Sequence, residues 1–163
     1  MLKNQIKKEL NDSLKSGDQL KRSVLGMLSS AIQSRELNKR TQLSKTEKNL
    51  TELETKSQLS DEEVLEVIAG EIKKRKESIE QFNAGGRQEL AEKEAKEIKI
   101  LKPYLPEQLP ESEVSAEIDK VIAESGAKDI KEMGKIIGLV MAKLKGKIDG
   151  STVTRLVKEK LHA

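Results

Sequence analysis

The chain has 163 residues and no cysteine, which excludes disulfides, thiol catalysis and zinc–thiolate sites. It is 36% charged with a net charge of +3 and only 1% aromatic residues, so its core must be aliphatic, which suits helix bundles better than sheets. No apolar run approaches the roughly 20 residues that span a bilayer.

Two amphipathic helices are predicted at the N-terminus. Leu2, Ile6, Leu10 and Leu14 recur every fourth residue and predict a helix that ends at Gly17. Asp18 can cap a second helix, whose apolar stripe is Leu20, Val24, Met27, Leu28, Ala31 and Ile32. Acidic residues among the first lysines are unlike a transit peptide, so we expect a structural helix and a cytoplasmic protein. Residues 38–59 are polar and are interpreted as a long connection with one exposed helical turn or more.

A third and a fourth helix follow. Ser60 and Glu63 fit a capping box, and Gly85-Gly86 ends the third helix. Its buried face is predicted as Val64, Ile68, Ile72, Ile79 and Phe82. The fourth helix is outlined by Leu90, Ala91, Ile98 and Leu101 and stops at Pro103.

All three prolines lie within "PYLPEQLP", which predicts a boundary between two domains. We expect an all-α protein with an N-terminal domain of helical hairpins over residues 1–104. A three-helix bundle over residues 105–163 should follow, with Ser151 capping its last helix. The charge changes sign here: residues 102–132 hold four Lys/Arg and eight Asp/Glu (−4), whereas residues 133–163 hold seven and two (+5). Such a change marks a candidate binding surface.

The segment "MGKIIGLVMAKLKG" repeats small residues at every fourth position, although an interior glycine costs a helix about 1 kcal/mol relative to alanine. A row of small residues lets another backbone approach closely. One interpretation is tight packing of a neighbouring helix, and the other is contact with a nucleic-acid backbone. The candidate close-approach residues are Gly134, Gly138, Ala142, Gly146 and Gly150.

Catalytic motifs and phosphate loops are absent from the sequence. The only histidine is His162, which we expect to be inert and solvated, and the many acidic pairs are interpreted as solvated helix faces. We therefore expect no catalytic residue, no metal site and no cofactor.

If the partner is nucleic acid, the side chains restrict the binding mode. Single strands call for stacking aromatics, and none follows Tyr104. Lysine contact with phosphates together with shape remains, which fits a structured RNA better than a sequence-specific site. No DNA partner is expected. The candidate RNA-binding cations are Lys135, Lys143, Lys145, Lys147, Arg155 and Lys158.

The chain resembles the GatB/YqeY family, specifically its stand-alone YqeY-like proteins, from the first helix to Leu161. The blocks that carry the resemblance are "SDEEVLEVI", "IKKRKESIEQFNAGGRQELAEKEAKEI", "YLPEQL" and "MGKIIGLVMAKLKGKIDGSTVTRLVKEKL". The last block follows the family pattern M-G-K-x-x-G-x-x-M-x-K-x-K-G-x-x-D-G-x-x-V. Residues 38–59 are longer and more polar than the family pattern, and Pro110 stands where a capping serine is expected.

The resemblance implies a C-terminal domain similar to the tail of the B subunit of tRNA-dependent amidotransferases, which is implicated in tRNA binding. The catalytic domain of those enzymes has no counterpart in this sequence. The expected function is therefore a non-catalytic accessory module in translation that binds tRNA, or an amidotransferase or aminoacyl-tRNA synthetase component. One alternative is a protein–protein adaptor with no RNA role. Another is a subunit of a carbon–nitrogen ligase, with glutamine as amido-N-donor, that needs other subunits. No membrane association is expected.

Overall fold

A computed structural model describes residues 1–127, 129–144 and 147–162, without the side chains of Ile130 and His162. In these ranges the chain is all α, as predicted, with no strand. Two short 3₁₀ turns, Lys102–Tyr104 and Ile130–Glu132, accompany the α-helices. The helices are α1 (Leu2–Ser16), α2 (Gln19–Leu43), α3 (Leu50–Ser57), α4 (Asp61–Ala84), α5 (Gln88–Leu101), α6 (Glu111–Ser125), α7 (Met133–Lys143) and α8 (Gly150–His162). None of the described helices is both long and apolar enough to cross a bilayer.

Contacts divide the chain into two compact units, Met1–Tyr104 and Leu105–Ala163. In the N-terminal unit α1 packs on α2, and α4 packs on α5. The core of this unit consists of aliphatic side chains and one tyrosine: Ile6, Val24, Leu25, Leu28, Ile32, Leu53, Leu59, Val64, Ile68, Ile72, Ala91, Ile98, Leu101 and Tyr104.

The predicted helix boundaries of this unit are confirmed where capping residues set them. Gly17 takes a left-handed conformation after α1, which ends the helix at no steric cost. The Asp18 carboxylate accepts a hydrogen bond from the backbone N–H of Lys21 at 2.9 Å. Ser60 and Glu63 form a reciprocal capping box at the start of α4.

Two predictions for this unit are wrong. Met27 is not part of the core stripe of α2: 52% of its surface is exposed, because Leu25 and Leu28 direct the buried face elsewhere. The interpretation of residues 38–59 as a long connection is wrong, although the helical structure expected within this segment is present. Helix α2 continues to Leu43, and α3 packs on α2 with Leu53 buried.

A buried ion pair joins α4 to α5. Arg75 and Glu97 are 4% and 8% exposed, and the Arg75 Nε donates to Glu97 Oε2 at 3.0 Å. The guanidinium also donates to the Glu71 carboxylate and to its carbonyl, both at 3.0 Å. These bonds compensate the desolvation of the buried charges.

The C-terminal unit is built from α6, α7 and α8, which pack against one another. Its buried residues are aliphatic: Val114, Ile118, Val121, Ala127, Ile136, Val140, Ile148, Val153, Leu156 and Val157. The prediction that Ser151 caps α8 is wrong. Asp149 does so, because its carboxylate accepts bonds from the Ser151 N–H at 2.9 Å and the Ser151 hydroxyl at 2.7 Å.

Candidate functional site

The exposed side of α7 carries a row of small residues. Ile136 and Val140 are buried and direct one side of α7 into the core. At 100° per residue, Gly138 and Ala142 project from the opposite side, and Gly134 lies beside them. All three are exposed, and we call them the glycine flank. The flank therefore faces solvent within the C-terminal unit.

Within the C-terminal unit, the interpretation that these glycines receive a neighbouring helix is wrong for Gly134 and Gly138. A Cβ atom added at either position would have no described neighbouring atom within 4 Å. The physical reason is that α7 packs on its neighbours through its apolar stripe, which lies on the other side of the helix. At Gly150 an added Cβ would meet the Met141 Cε at 3.7 Å, an ordinary van der Waals contact. Gly146 lies outside the described residues, so its predicted role stays a prediction.

Lys143, one of the predicted RNA-binding cations, is held by acidic side chains of α6. Its Nζ lies 3.0 Å from Glu124 and 3.4 Å from Glu117. The hydrogen bond from Lys143 to Glu124 raises the pKa of Lys143 above its usual value. Burial raises the pKa of Glu117, but the hydrogen bonds from Lys143 and Lys120 outweigh it and lower that pKa overall.

Arg155 is also engaged within the unit. Its guanidinium donates to Glu111 of α6 at 2.6 Å and to Glu159, one turn further along α8, at 3.2 Å. The hydrogen bond to Glu111, supported by Glu159, raises the pKa of Arg155. A polyanion would have to compete with these carboxylates for both Arg155 and Lys143.

Three predicted cations remain available for a ligand. Lys135, Lys147 and Lys158 are exposed, and no ion pair among the described residues involves them. Lys135 is on α7 beside the glycine flank. Lys145 lies outside the described residues, so its predicted contact with RNA stays a prediction. The side chain of His162 is also outside the described part of the chain, so the expectation that it is inert stays a prediction.

The structure therefore divides the predicted cations into those paired with acidic side chains, Lys143 and Arg155, and those without an ion pair among the described residues. The sequence alone does not distinguish the two groups. The −4 balance of residues 102–132 was a signal for this, because an acidic helix that packs beside a basic segment pairs with part of it. Sequence reasoning used the signal to mark a boundary and missed the pairing. It also missed Lys160, whose Nζ lies 2.7 Å from Asp119 on α6.

Exposed lysine side chains beside small residues are groups whose chemistry suits contact with an anionic backbone. Within the ranges that the structure describes, no group of three or more His, Asp or Glu side chains is placed to hold a metal ion. The glycine flank allows a ligand to approach α7 closely but offers no chemical group, since neither glycine nor alanine has a side chain that reacts or donates a hydrogen bond.

Comparison with known proteins places the chain beside one family and two fungal proteins. The family described as YqeY-like protein matches residues 3–161. An uncharacterized protein of Schizosaccharomyces pombe is 37% identical over 102 residues, which covers 63% of this chain and 70% of that protein. The Candida glabrata protein named altered inheritance of mitochondria protein 41, mitochondrial, is 29% identical over 150 residues, which covers 92% of this chain and 72% of that protein. The family match spans almost the whole sequence, and the chain belongs to the YqeY-like protein family.

Proposed function

We propose that the C-terminal unit binds the phosphate backbone of a structured RNA, with tRNA as the expected class. In this proposal the chain is a non-catalytic accessory module of translation. The observation that carries it is the exposed glycine flank, which lies beside Lys135 and has no packing role within the described part of the unit. A bare helix face allows a bulky backbone to approach, and unpaired lysines supply the charge that phosphates require.

The side chains favour a folded RNA over a single strand. Residues 105–163 contain no aromatic residue on which bases could stack. Arginine forks read base edges, and Arg155, the single arginine of this unit, is already engaged with Glu111 and Glu159. Lysine contacts to phosphate are largely independent of sequence, so recognition would rest on the shape of the RNA.

A protein partner at the same surface is the second candidate. Leu139 is on the outer side of α7, 42% exposed, next to Gly138. An exposed leucine beside small residues could pack against a helix of an amidotransferase or aminoacyl-tRNA synthetase component. The third candidate is a carbon–nitrogen ligase subunit that uses glutamine as amido-N-donor together with other subunits.

Titration of the full chain with tRNA at several salt concentrations tests the proposal. Binding that weakens steeply with salt, with a log–log slope of several units, supports phosphate contact. Binding whose affinity does not change with salt concentration, and that requires a protein partner, supports the protein–protein adaptor. Glutamine-dependent amidation by the purified chain would contradict a non-catalytic role.

We also propose the cytoplasm as the compartment. The name of the Candida glabrata relative gives mitochondria as the alternative. Fractionation of cells that carry the tagged chain decides between the two.

A further inference from the structure

The outer face of α2 is unlike the rest of this protein. Residues 23–34 read "SVLGMLSSAIQS" and contain no charged residue, in a chain that is 36% charged. A water-facing helix surface is normally rich in charged side chains. The absence of charge from the exposed side of α2 along these three turns therefore calls for an explanation beyond solubility.

Small and apolar side chains occupy this outer face. Ser23, Gly26 and Ser30 lie on the side of α2 opposite the buried Leu28. A Cβ at Gly26 would meet no described neighbouring atom within 4 Å. Residues of α2 and α4 line an open groove here: Gln19, Arg22, Ser23, Gly26, Met27, Ser30, Ala31, Glu71 and Lys74.

Two large apolar side chains project from the same face. Met27 is 52% exposed and lines the groove, and Leu37 is 64% exposed further along α2. Their helical angles differ by about 80°, so both can contact one partner laid along α2. Methionine adapts its shape to a partner, which suits a contact that forms on binding.

Two arginines mark one edge of this face. Arg22 and Arg40 are separated by 18 residues, which is five helical turns, so they project in the same direction about 27 Å apart. Neither guanidinium forms an ion pair or hydrogen bond with another residue in the described part of the chain.

Glu71, the acidic residue that lines the groove, is not available to pair with these arginines. Glu71 is held by Lys74 at 2.7 Å and by the buried Arg75 at 3.0 Å. Its charge is thus neutralised from both sides. The groove and its edge carry a surplus of positive charge that no described carboxylate balances.

We propose that the outer face of α2 docks an amphipathic helix of a partner protein that carries Asp or Glu along one edge. The small residues of α2 allow two helix backbones to pack closely. Met27 and Leu37 contact the apolar side of the partner, and Arg22 and Arg40 pair with its carboxylates, for which arginine offers a two-pronged donor.

Charge favours this occupant over two others. An RNA would meet no cation between Arg22 and Arg35 along α2. A second copy, paired antiparallel about the centre of the face, would bring Arg22 of one copy against Arg40 of the other, and like charges repel. The acidic edge of an amphipathic helix would pair with the two arginines, and its apolar side would pack on the uncharged stretch.

A library of amphipathic helical peptides, randomised beside the apolar positions and displayed on phage, tests the proposal on the full chain. Selected peptides should carry more Asp and Glu on one edge than the unselected library. Their affinity should fall at least tenfold for Ser30→Glu and for Arg22→Glu, both at exposed positions. The matched control is Asn11→Glu on the exposed side of α1, which should leave the affinity unchanged.

Three outcomes would overturn the proposal. The first is a selection that yields no peptide, or only peptides without an acidic excess. The second is a set of selected peptides that bind Ser30→Glu as well as they bind the unaltered chain. The third is a dimer in sedimentation that Ser30→Glu dissociates, which would make the face a contact between copies. Because α2 belongs to the N-terminal unit, none of these results depends on RNA binding by the C-terminal unit.

Discussion

At the scale of single residues, Gly138 sits in the interior of α7 where leucine or alanine would form a better helix. A glycine at such a position is often explained by a neighbouring backbone, but the space beside Gly138 is open. The position therefore sacrifices helix stability without a packing gain inside the described part of the unit. A contact formed only with a ligand would account for it.

Replacement of this glycine by leucine separates stability from binding. Gly138→Leu should raise the free energy of unfolding by roughly 0.5–1 kcal/mol, because leucine is the better helix former and a Cβ at this position meets no described neighbouring atom within 4 Å. The same change should weaken tRNA binding at least tenfold by keeping the RNA away from α7. Thermal melts and RNA titrations measure the two effects. Gly70→Leu, at an open position of α4, is the control and should stabilise without affecting binding.

A second prediction at this scale concerns Glu63. The hydrogen bond from Lys39, 2.7 Å from Glu63 Oε1, lowers the pKa of Glu63, and the Ser60 N–H adds to the effect. A lowered folded pKa gives stability that is present above the unfolded value and lost as pH falls through the folded value. Glu63→Gln should therefore destabilise the chain at pH 7 and have a smaller effect at about pH 3.

Urea unfolding at the two pH values measures this difference. Ser60→Ala removes a neutral cap, so it should cost about 1 kcal/mol at both pH values and serves as the control. An equal effect of Glu63→Gln at pH 7 and pH 3 would contradict the assigned role of the carboxylate.

Residues with strong local preferences were predictable from the sequence. Asp18 and Ser60 cap helices because their side chains bond to backbone groups three residues away. Met27 was not predictable, since an apolar residue at the border of a stripe can face either way. Only the packing of Leu25 and Leu28 decides its direction.

At the scale of elements, α3 shows how a polar segment contributes to a core. Residues 38–59 have too few apolar side chains to reveal a helical period. Asn49 nevertheless caps α3 by accepting from the Thr51 N–H at 3.0 Å, and Leu53 packs into the N-terminal unit. One buried apolar side chain is enough to place a short helix but not enough to predict it.

Two leucines of α3 provide a matched test of this placement. Leu53 is 6% exposed, and Leu50, one turn earlier, is 72% exposed. Leu53→Ala should lower the free energy of unfolding by about 2–3 kcal/mol, because it removes buried apolar surface and leaves a cavity. Leu50→Ala should change it by less than about 0.5 kcal/mol. Urea unfolding measures both, and equal effects would mean that α3 is not part of the core.

The link between α4 and α5 gives another prediction. Arg75→Met leaves Glu97 buried without its partner, which should cost about 3–5 kcal/mol. The double variant Arg75→Met with Glu97→Gln removes the orphaned charge and should recover most of the loss. A double-mutant cycle by urea unfolding measures the coupling. Additive losses would show that the pair does not act as a unit.

At the scale of the whole molecule, the charge pattern divides the cations of the C-terminal unit by their partners. The sequence predicted the basic character of residues 133–163, but not that α6 would neutralise part of it. Ion pairs between elements depend on how the helices pack, and that information is absent from the order of charges along the chain. A substitution of Lys143 would therefore test an internal ion pair together with any binding to a ligand.

Charge reversal at the unpaired lysines tests RNA binding without disturbing those ion pairs. Lys135, Lys147 and Lys158→Glu should lower tRNA affinity and flatten the log–log salt dependence by about one unit for each phosphate that the protein no longer binds. The fold should survive, because all three side chains are exposed.

The matched control reverses three exposed lysines of α1 in the N-terminal unit: Lys7, Lys8 and Lys15. It changes the net charge by the same amount, so any general repulsion of RNA would affect both variants equally. Retained affinity and salt slope in the control, together with weaker binding by the C-terminal variant, would locate the phosphate-binding surface on the C-terminal unit. Equal reductions in the two variants would mean that net charge alone, rather than the surface around α7 and α8, attracts the RNA.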